Sequence, residues 1–244
     1  MQALKESPGA FRRLATVGVV TALVCAHVTT SETATAQTTY DKQIWTAAFL
    51  QARVTGREPT ATSGLSLWLD VHARRTDAGL VAIVRPALGY RFTKKASVWA
   101  GIAEVSTFSD AQDSWTHERR AWQQGLFTLP AGPFTIQLRP RLEERLREGQ
   151  SDVALRARAF ARVNVSFGEK VPVNLATWVE PFFHLNDVAW GPVRGFDQNR
   201  LFLGAGIKGP AATRLEVGYL NVTVLRPTDL LIAHNIALNM FADF

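Results

Sequence analysis

FTIQLRPRLEERLREG, residues Phe134 to Gly149, fits two periodicities at once. Leu138, Leu142 and Leu146 are four apart, and LEERLRE alone reads as an exposed helical turn laced with Glu–Arg pairs. The same leucines share the even positions with Phe134, Ile136 and Pro140, whereas Thr135, Gln137, Arg139, Arg141, Glu143, Arg145 and Arg147 hold odd ones. Since a spacing of four satisfies both periods, the decision falls to Phe134 and Ile136. They extend the alternation and would sit badly on one helical face. Pro140 argues the same way, because inside a helix it removes a hydrogen bond and clashes with the preceding turn. The segment is a strand with one apolar face and one face crowded with arginine.

The same alternation recurs from Leu65 onward. In GLSLWLDVHAR, Leu65, Leu67, Leu69, Val71 and Ala73 alternate with Ser66, Trp68, Asp70, His72 and Arg74. In VALRARAFARVNVSF the odd positions from Val153 to Phe167 are apolar, with Arg156, Arg158, Arg162 and Asn164 opposite. The pattern predicts eleven strands, at 44–54, 64–74, 80–92, 95–106, 116–128, 133–148, 153–167, 174–186, 198–208, 212–223 and 230–243. Most exceed the roughly 5–6 residues of a globular strand and reach the roughly 9–11 needed to cross a bilayer at a slant. Long one-faced strands predict an all-β antiparallel transmembrane barrel of 10–12 strands, its apolar face toward lipid and an arginine-rich face toward the lumen. Turns at 93–95, 129–132, 168–172 and 209–212 are short, and those at 107–115, 146–152 and 186–197 are longer, which predicts a periplasmic and an extracellular end. Phe92, Phe134, Phe167 and Phe244 then gather at the short-turn end as half of an aromatic girdle. Because such barrels normally have even strand numbers, 44–54 is either a non-spanning segment or one of twelve strands.

The chain begins with Lys5, Arg12 and Arg13, continues through the apolar run Leu14–Val28, and reaches Ala34-Thr35-Ala36 before Gln37. That order predicts a signal peptide over 1–36, cleaved after Ala36, and together with the barrel pattern and Phe244 on its lipid-facing phase it predicts export to an outer membrane. Residues 37–63 then form an N-terminal segment and 64–244 the barrel. The sole cysteine, Cys25, lies inside the leader, so the exported chain has no disulfide or thiolate chemistry. Cleavage lowers the formal net charge from +6 to +5.

Trp45, RPALGYRF (85–92), GIAEV (101–105), HERRAWQQ (117–124), RPRLEERLR (139–147), EPFF (180–183), QNRLFLGAGI (198–207), LEVGYL (215–220) and Phe244 together resemble an uncharacterised Gram-negative outer-membrane β-barrel family, domain of unknown function 2490. The resemblance spans nearly the whole exported chain. It implies location and fold, and carries no reaction, substrate or catalytic residue.

GAGIKG (204–209) matches G-x-G-x-x-G, but Pro210 and another alternating strand follow where a nucleotide site needs a helix. His72, His117, His184 and His234 show no metal spacing, so neither metal nor cofactor is expected. The arginines alternate with lipid-type residues instead of forming a patch, which argues against nucleic acid. The predicted lumen holds Arg74, Arg85, Arg120, Arg139, Arg141, Arg145, Arg147, Arg156, Arg158, Arg162, Arg200 and Arg214, facing Asp70, Glu118, Glu143, Glu180, Glu216, Asp243 and His184. Buried guanidinium groups need carboxylate partners, so a salt-bridged core is expected. Of these, Arg74, Glu118, Arg120, Arg139, Arg141, Glu143, Arg145, Arg156, Arg158, Glu180, His184 and Arg200 form the candidate binding cluster for an anion or lipid phosphate.

Three functions compete. The first is a structural, narrow-pore or anion- and lipid-binding barrel without catalysis. The second is a membrane-embedded lipid hydrolase using His72 or His184. The third is a soluble β-protein with an apolar interior. Expected partners are outer-membrane lipid and, through Phe244, the barrel-assembly machinery.

Overall fold

Alternation at every second residue becomes eleven strands in a computed structural model that describes residues 37–58, 61–168 and 171–244. The expected leader and its cleavage site lie outside the described residues. The strands are β1 (Gln37–Arg53), β2 (Gly64–Thr76), β3 (Gly79–Thr93), β4 (Ala96–Ser109), β5 (Ser114–Ala131), β6 (Phe134–Arg147), β7 (Val153–Ser166), β8 (Val173–His184), β9 (Gly195–Lys208), β10 (Thr213–Leu225) and β11 (Asp229–Asp243). Consecutive strands pair antiparallel, and β1 closes the barrel against β11 in parallel, with Ile44 opposite Ile236. The seam resolves the parity conflict. Residues 44–53 belong to a strand of the barrel, no twelfth partner exists among the described residues, and the antiparallel expectation fails at this one junction.

The strand interiors tolerate Pro86, Pro140 and Pro181 because each sits beside a gap in the ladder. Pro86, Pro140 and Pro181 keep their pairs with Leu69, Ala159 and Asn199. On the opposite edges the ladders skip the positions around them, between Val84 and Ala87, between Leu138 and Arg141, and between Phe182 and Val179. A residue without an N–H is accommodated where no bond is demanded of it.

The alternation sorts the faces as expected. Outside lie apolar side chains such as Leu67, Leu88, Ile102, Leu138, Leu203 and Ile236, the last 65% exposed. Inside lie Asp70, Arg85, Arg141, Glu143, Arg158, Glu180 and Glu216, all nearly or fully buried. An apolar-lined interior with charges outward is therefore excluded. Two aromatic clusters share the inner wall. Trp68, Trp99 and Trp122 pack on β2–β5, and Phe202 and Leu220 pack on β8–β11 with Trp45 and Trp178 against them. Gly101 makes room for this packing, since a Cβ there would lie 2.9 Å from the Trp122 ring and 2.6 Å from Ala87 Cβ. Gly204 and Gly206 sit within β9, paired to β10, where a Cβ would strike Phe202 or Asn174. They serve wall packing, and no helix follows them.

The turns do not separate by length as expected. One end carries 77–78, 110–113, 148–152, 185–194 and 226–228; the other carries 54–63, 94–95, 132–133, 167–172, 209–212 and Phe244. Each end has one ten-residue loop among shorter turns. The apparent long loop 107–115 shrinks because β4 and β5 run on into it as far as Ser109 and Ser114. Phe92, Phe167 and Phe244 are all exposed at the second end, as expected.

Candidate functional site

Cross-strand register decides which charges meet inside the barrel. Glu143 of β6 lies opposite Arg156 of β7 and is 1% exposed. Arg156 Nε donates to its Oε2 at 3.0 Å, Arg158 Nη1 donates to its Oε1 at 2.5 Å, and Arg141 Nη1 reaches Oε1 at 3.5 Å. Arg158 continues the web by donating through Nη2 to Glu180 Oε1 at 2.7 Å, an oxygen that also accepts from Arg139 Nη2 at 3.0 Å. Toward the 185–194 end, Arg145 grips Glu118 with two bonds of 2.7 and 2.8 Å, and Arg120 adds a third. Toward the Phe244 end, Arg162 donates to Glu216 Oε1. Arg214 Nε lies 2.8 Å from the same oxygen without a hydrogen-bonding direction, a charge contact only.

Aromatic faces add to the carboxylates and, at Arg74, take their place. Arg141 lies 4.3 Å over Trp122, Arg158 and Arg200 each 4.4 Å over Phe182, and Arg74 3.9 Å over Trp45. Such stacking favours cations electrostatically while leaving their N–H groups free. Arg74 has no carboxylate in ion-pair range among the described residues, and its buried Nε has no partner. Arg200 is 3.8 Å from Glu180 Oε2, too long for a hydrogen bond. The inner wall thus sets Arg74, Arg85, Arg120, Arg139, Arg141, Arg145, Arg156, Arg158, Arg162, Arg200 and Arg214 against Asp70, Glu118, Glu143, Glu180, Asp197 and Glu216. Positive charge is in clear excess.

Two cavities flank the web. One, of about 580 Å³, opens toward the Phe244 end past Arg53, Arg91, Lys94 and Lys95, and is walled by Trp45, Trp68, Trp178, Phe160 and Phe241. The other, of about 340 Å³, faces the 185–194 end. Arg74, Arg85, Arg158 and Arg200 line both and mark the partition between them.

The twelve candidate residues converge as one lumen assembly, with His184 at its edge, its Nε2 3.4 Å from Asp197 Oδ2. Arg147 stands at the lumen mouth: it ends β6, is exposed, lines the outer part of the 340 Å³ cavity, and donates to the Trp190 carbonyl at 3.4 Å. Asp243 likewise stands exposed at the mouth. Asp197 escaped the sequence pattern because the register shift at Phe182/Phe183 turns Asp197 and Gln198 inward together. His72 Nε2 lies between Asp70 Oδ1 at 3.0 Å and Arg85 Nη2 at 2.6 Å, and no serine bonds to His72 or His184 among the described residues.

The geometry defines a class: a closed β-barrel with an apolar exterior and an arginine-rich, partly filled lumen. Residues 42–230 match the family described as protein of unknown function (DUF2490), and the chain belongs to that family. It is also 29% identical over 171 residues, 66% of this chain and 72% of the other, to an uncharacterized protein of Methylorubrum extorquens. No solved structure matches the chain.

Proposed function

We propose that this protein is an outer-membrane barrel whose lumen binds amphiphilic anions and leaves them chemically unchanged. The observation that carries this reading is Arg74, a guanidinium with no carboxylate in ion-pair range among the described residues, set over Trp45 with Arg200 beside it at the head of the 580 Å³ cavity. An anionic headgroup there gains free guanidinium donors, while an apolar body lies along Trp68, Trp178 and Phe241. The basic rim of Arg53, Lys94 and Lys95 raises the local concentration of such ligands. The Glu143–Arg158–Glu180 web between the cavities supports a closed barrel that holds a ligand and passes no current. Location in the outer membrane is supported by the largely apolar exterior and by strand lengths of 12–18 residues.

The test is fluorescence titration of purified protein in neutral detergent with an anilinonaphthalene sulfonate probe. Arg74→Ala with Arg200→Ala should weaken binding by at least about tenfold, or ~1.4 kcal/mol. The exposed-rim change Arg147→Ala should leave it unaltered. Equal affinity in the double variant and the parent contradicts the assignment.

A further inference from the structure

The outer surface holds an exception to its own rule. The outward positions of β2 from Leu65 to Ala73, of β3 from Leu80 to Phe92, of β7 from Val153 to Val165 and of β8 from Val173 to Phe183 carry no charge. On β4 and β5 the outward positions instead bring together Glu104, Ser106, His117 and Arg119. Ionisable side chains on a face that meets lipid are costly, least so near the interface, and are retained where they act.

Register sets this group. The 110–113 turn places Ser106 opposite His117 and Glu104 opposite Arg119. Ser106 Oγ lies 3.0 Å from His117 Nδ1. Glu104 Oε1 approaches the same nitrogen at 3.6 Å, and Arg119 Nε holds the other Glu104 oxygen at 3.4 Å. The Trp115 ring lies parallel to the imidazole, with centroids 6.5 Å apart. Phe108 and Trp115 pair one row nearer the rim, which sets the group just inside an aromatic border. Beside it opens a groove of about 450 Å³ lined by Trp115, His117, Arg147 and Trp190.

From this geometry we infer that Ser106 and His117 form a lipid-facing nucleophile–base pair that hydrolyses acyl esters of membrane lipids, an inference that rests on the proposed membrane embedding but not on lumen binding. Ser106 Oγ attacks the ester carbonyl carbon and gives its proton to His117 Nδ1. The new imidazolium stands beside the Glu104 carboxylate. Collapse of the tetrahedral adduct breaks the bond to the alcohol oxygen, which takes the proton from Nδ1. Water then attacks the acyl-serine, again losing its proton to Nδ1; collapse frees the fatty acid, and the proton returns to Ser106 Oγ. Arg119, whose side chain is 85% exposed, supplies a cation for the oxyanion or a phosphate headgroup. Both polar contacts fall on one imidazole nitrogen, so Glu104 is a positioning and counter-charge residue and not a relay.

The full chain in phosphatidylcholine vesicles is treated with a long-chain fluorophosphonate, and labelling of Ser106 is read by mass. Quenching of Trp115 fluorescence by brominated lipid, referenced to Trp115→Phe, is read in parallel. Labelling is expected in the parent and in His234→Ala, with none in Ser106→Ala and a rate at least about 100-fold lower in His117→Ala. Glu104→Gln should lower the maximal labelling rate while leaving the half-saturating probe concentration unchanged. Quenching without labelling overturns the catalytic inference and leaves the embedding intact. Absence of quenching overturns the embedding, and the inference with it. Labelling equal in parent and His117→Ala overturns the role of the histidine.

Discussion

Removing the negative charge of Glu143 tests the lumen web at its centre. In Glu143→Gln, shape is preserved, but Arg156 and Arg158 lose the carboxylate they bond at 3.0 and 2.5 Å. Breaking one side of a buried pair costs about 3–5 kcal/mol. Arg158 keeps Glu180 at 2.7 Å and Arg156 retains Asp197 at 3.6 Å, and both line the 340 Å³ cavity, which places the cost at the lower end. A loss of ~3 kcal/mol with a urea slope of ~2 kcal/mol/M moves the unfolding midpoint down by about 1.5 M. Asp113→Asn is the control, since Asp113 occupies a turn with φ of 47°, a conformation asparagine also accepts. Its effect should stay below about 0.5 kcal/mol. Urea titration in vesicles, followed by tryptophan fluorescence and by the heat-dependent mobility of the folded barrel on gels, gives both numbers. Equal midpoints for the two variants would show that Glu143 does not anchor a packed lumen.

Further expectations follow from the two faces. Leu138, 40% exposed on the outer face, should tolerate arginine poorly, at about 2–4 kcal/mol if it lies at mid-bilayer. Gln137→Arg, beside it on the cavity wall, should give a higher folded fraction in the same refolding assay. Gly101→Val should destabilise by about 1–3 kcal/mol through contact with Trp122 and Ala87, measured as the same urea midpoint. In planar bilayers the parent should show no steady conductance, and discrete open levels would contradict the closed partition.

Much of this architecture is legible in the chain because a period of two is unambiguous once it runs past a dozen residues. Strand identity and the inward phase of Arg139, Glu143, Arg156 and Arg158 follow from that pattern alone. Pairing does not. Which carboxylate meets which arginine depends on register, set by the turns, so the Glu143–Arg158–Glu180 chain could not be read from composition. Closure was hidden for a related reason. Alternation in β1 says nothing about which edge it meets, and the parallel match of Ile44 with Ile236 is a property of the closed sheet. The bulge at Phe182/Phe183 breaks the phase locally and hid Asp197. Ser106 and His117 are eleven residues apart in sequence and become neighbours only through the tight 110–113 turn.

The central claim is that the barrel spans a bilayer with its even-numbered β6 residues toward lipid and its odd-numbered ones toward the lumen. Replacing Cys25, the sole cysteine, by serine permits single spin labels along Phe134–Arg147 in a reconstituted protein. The measurement is the accessibility of each label to oxygen, which concentrates in lipid, and to a water-soluble nickel chelate. Oxygen access should peak at 134, 136, 138, 140 and 142, with minima at 135, 137, 139, 141 and 143. Chelate access without alternation, or the opposite phase, would contradict the account.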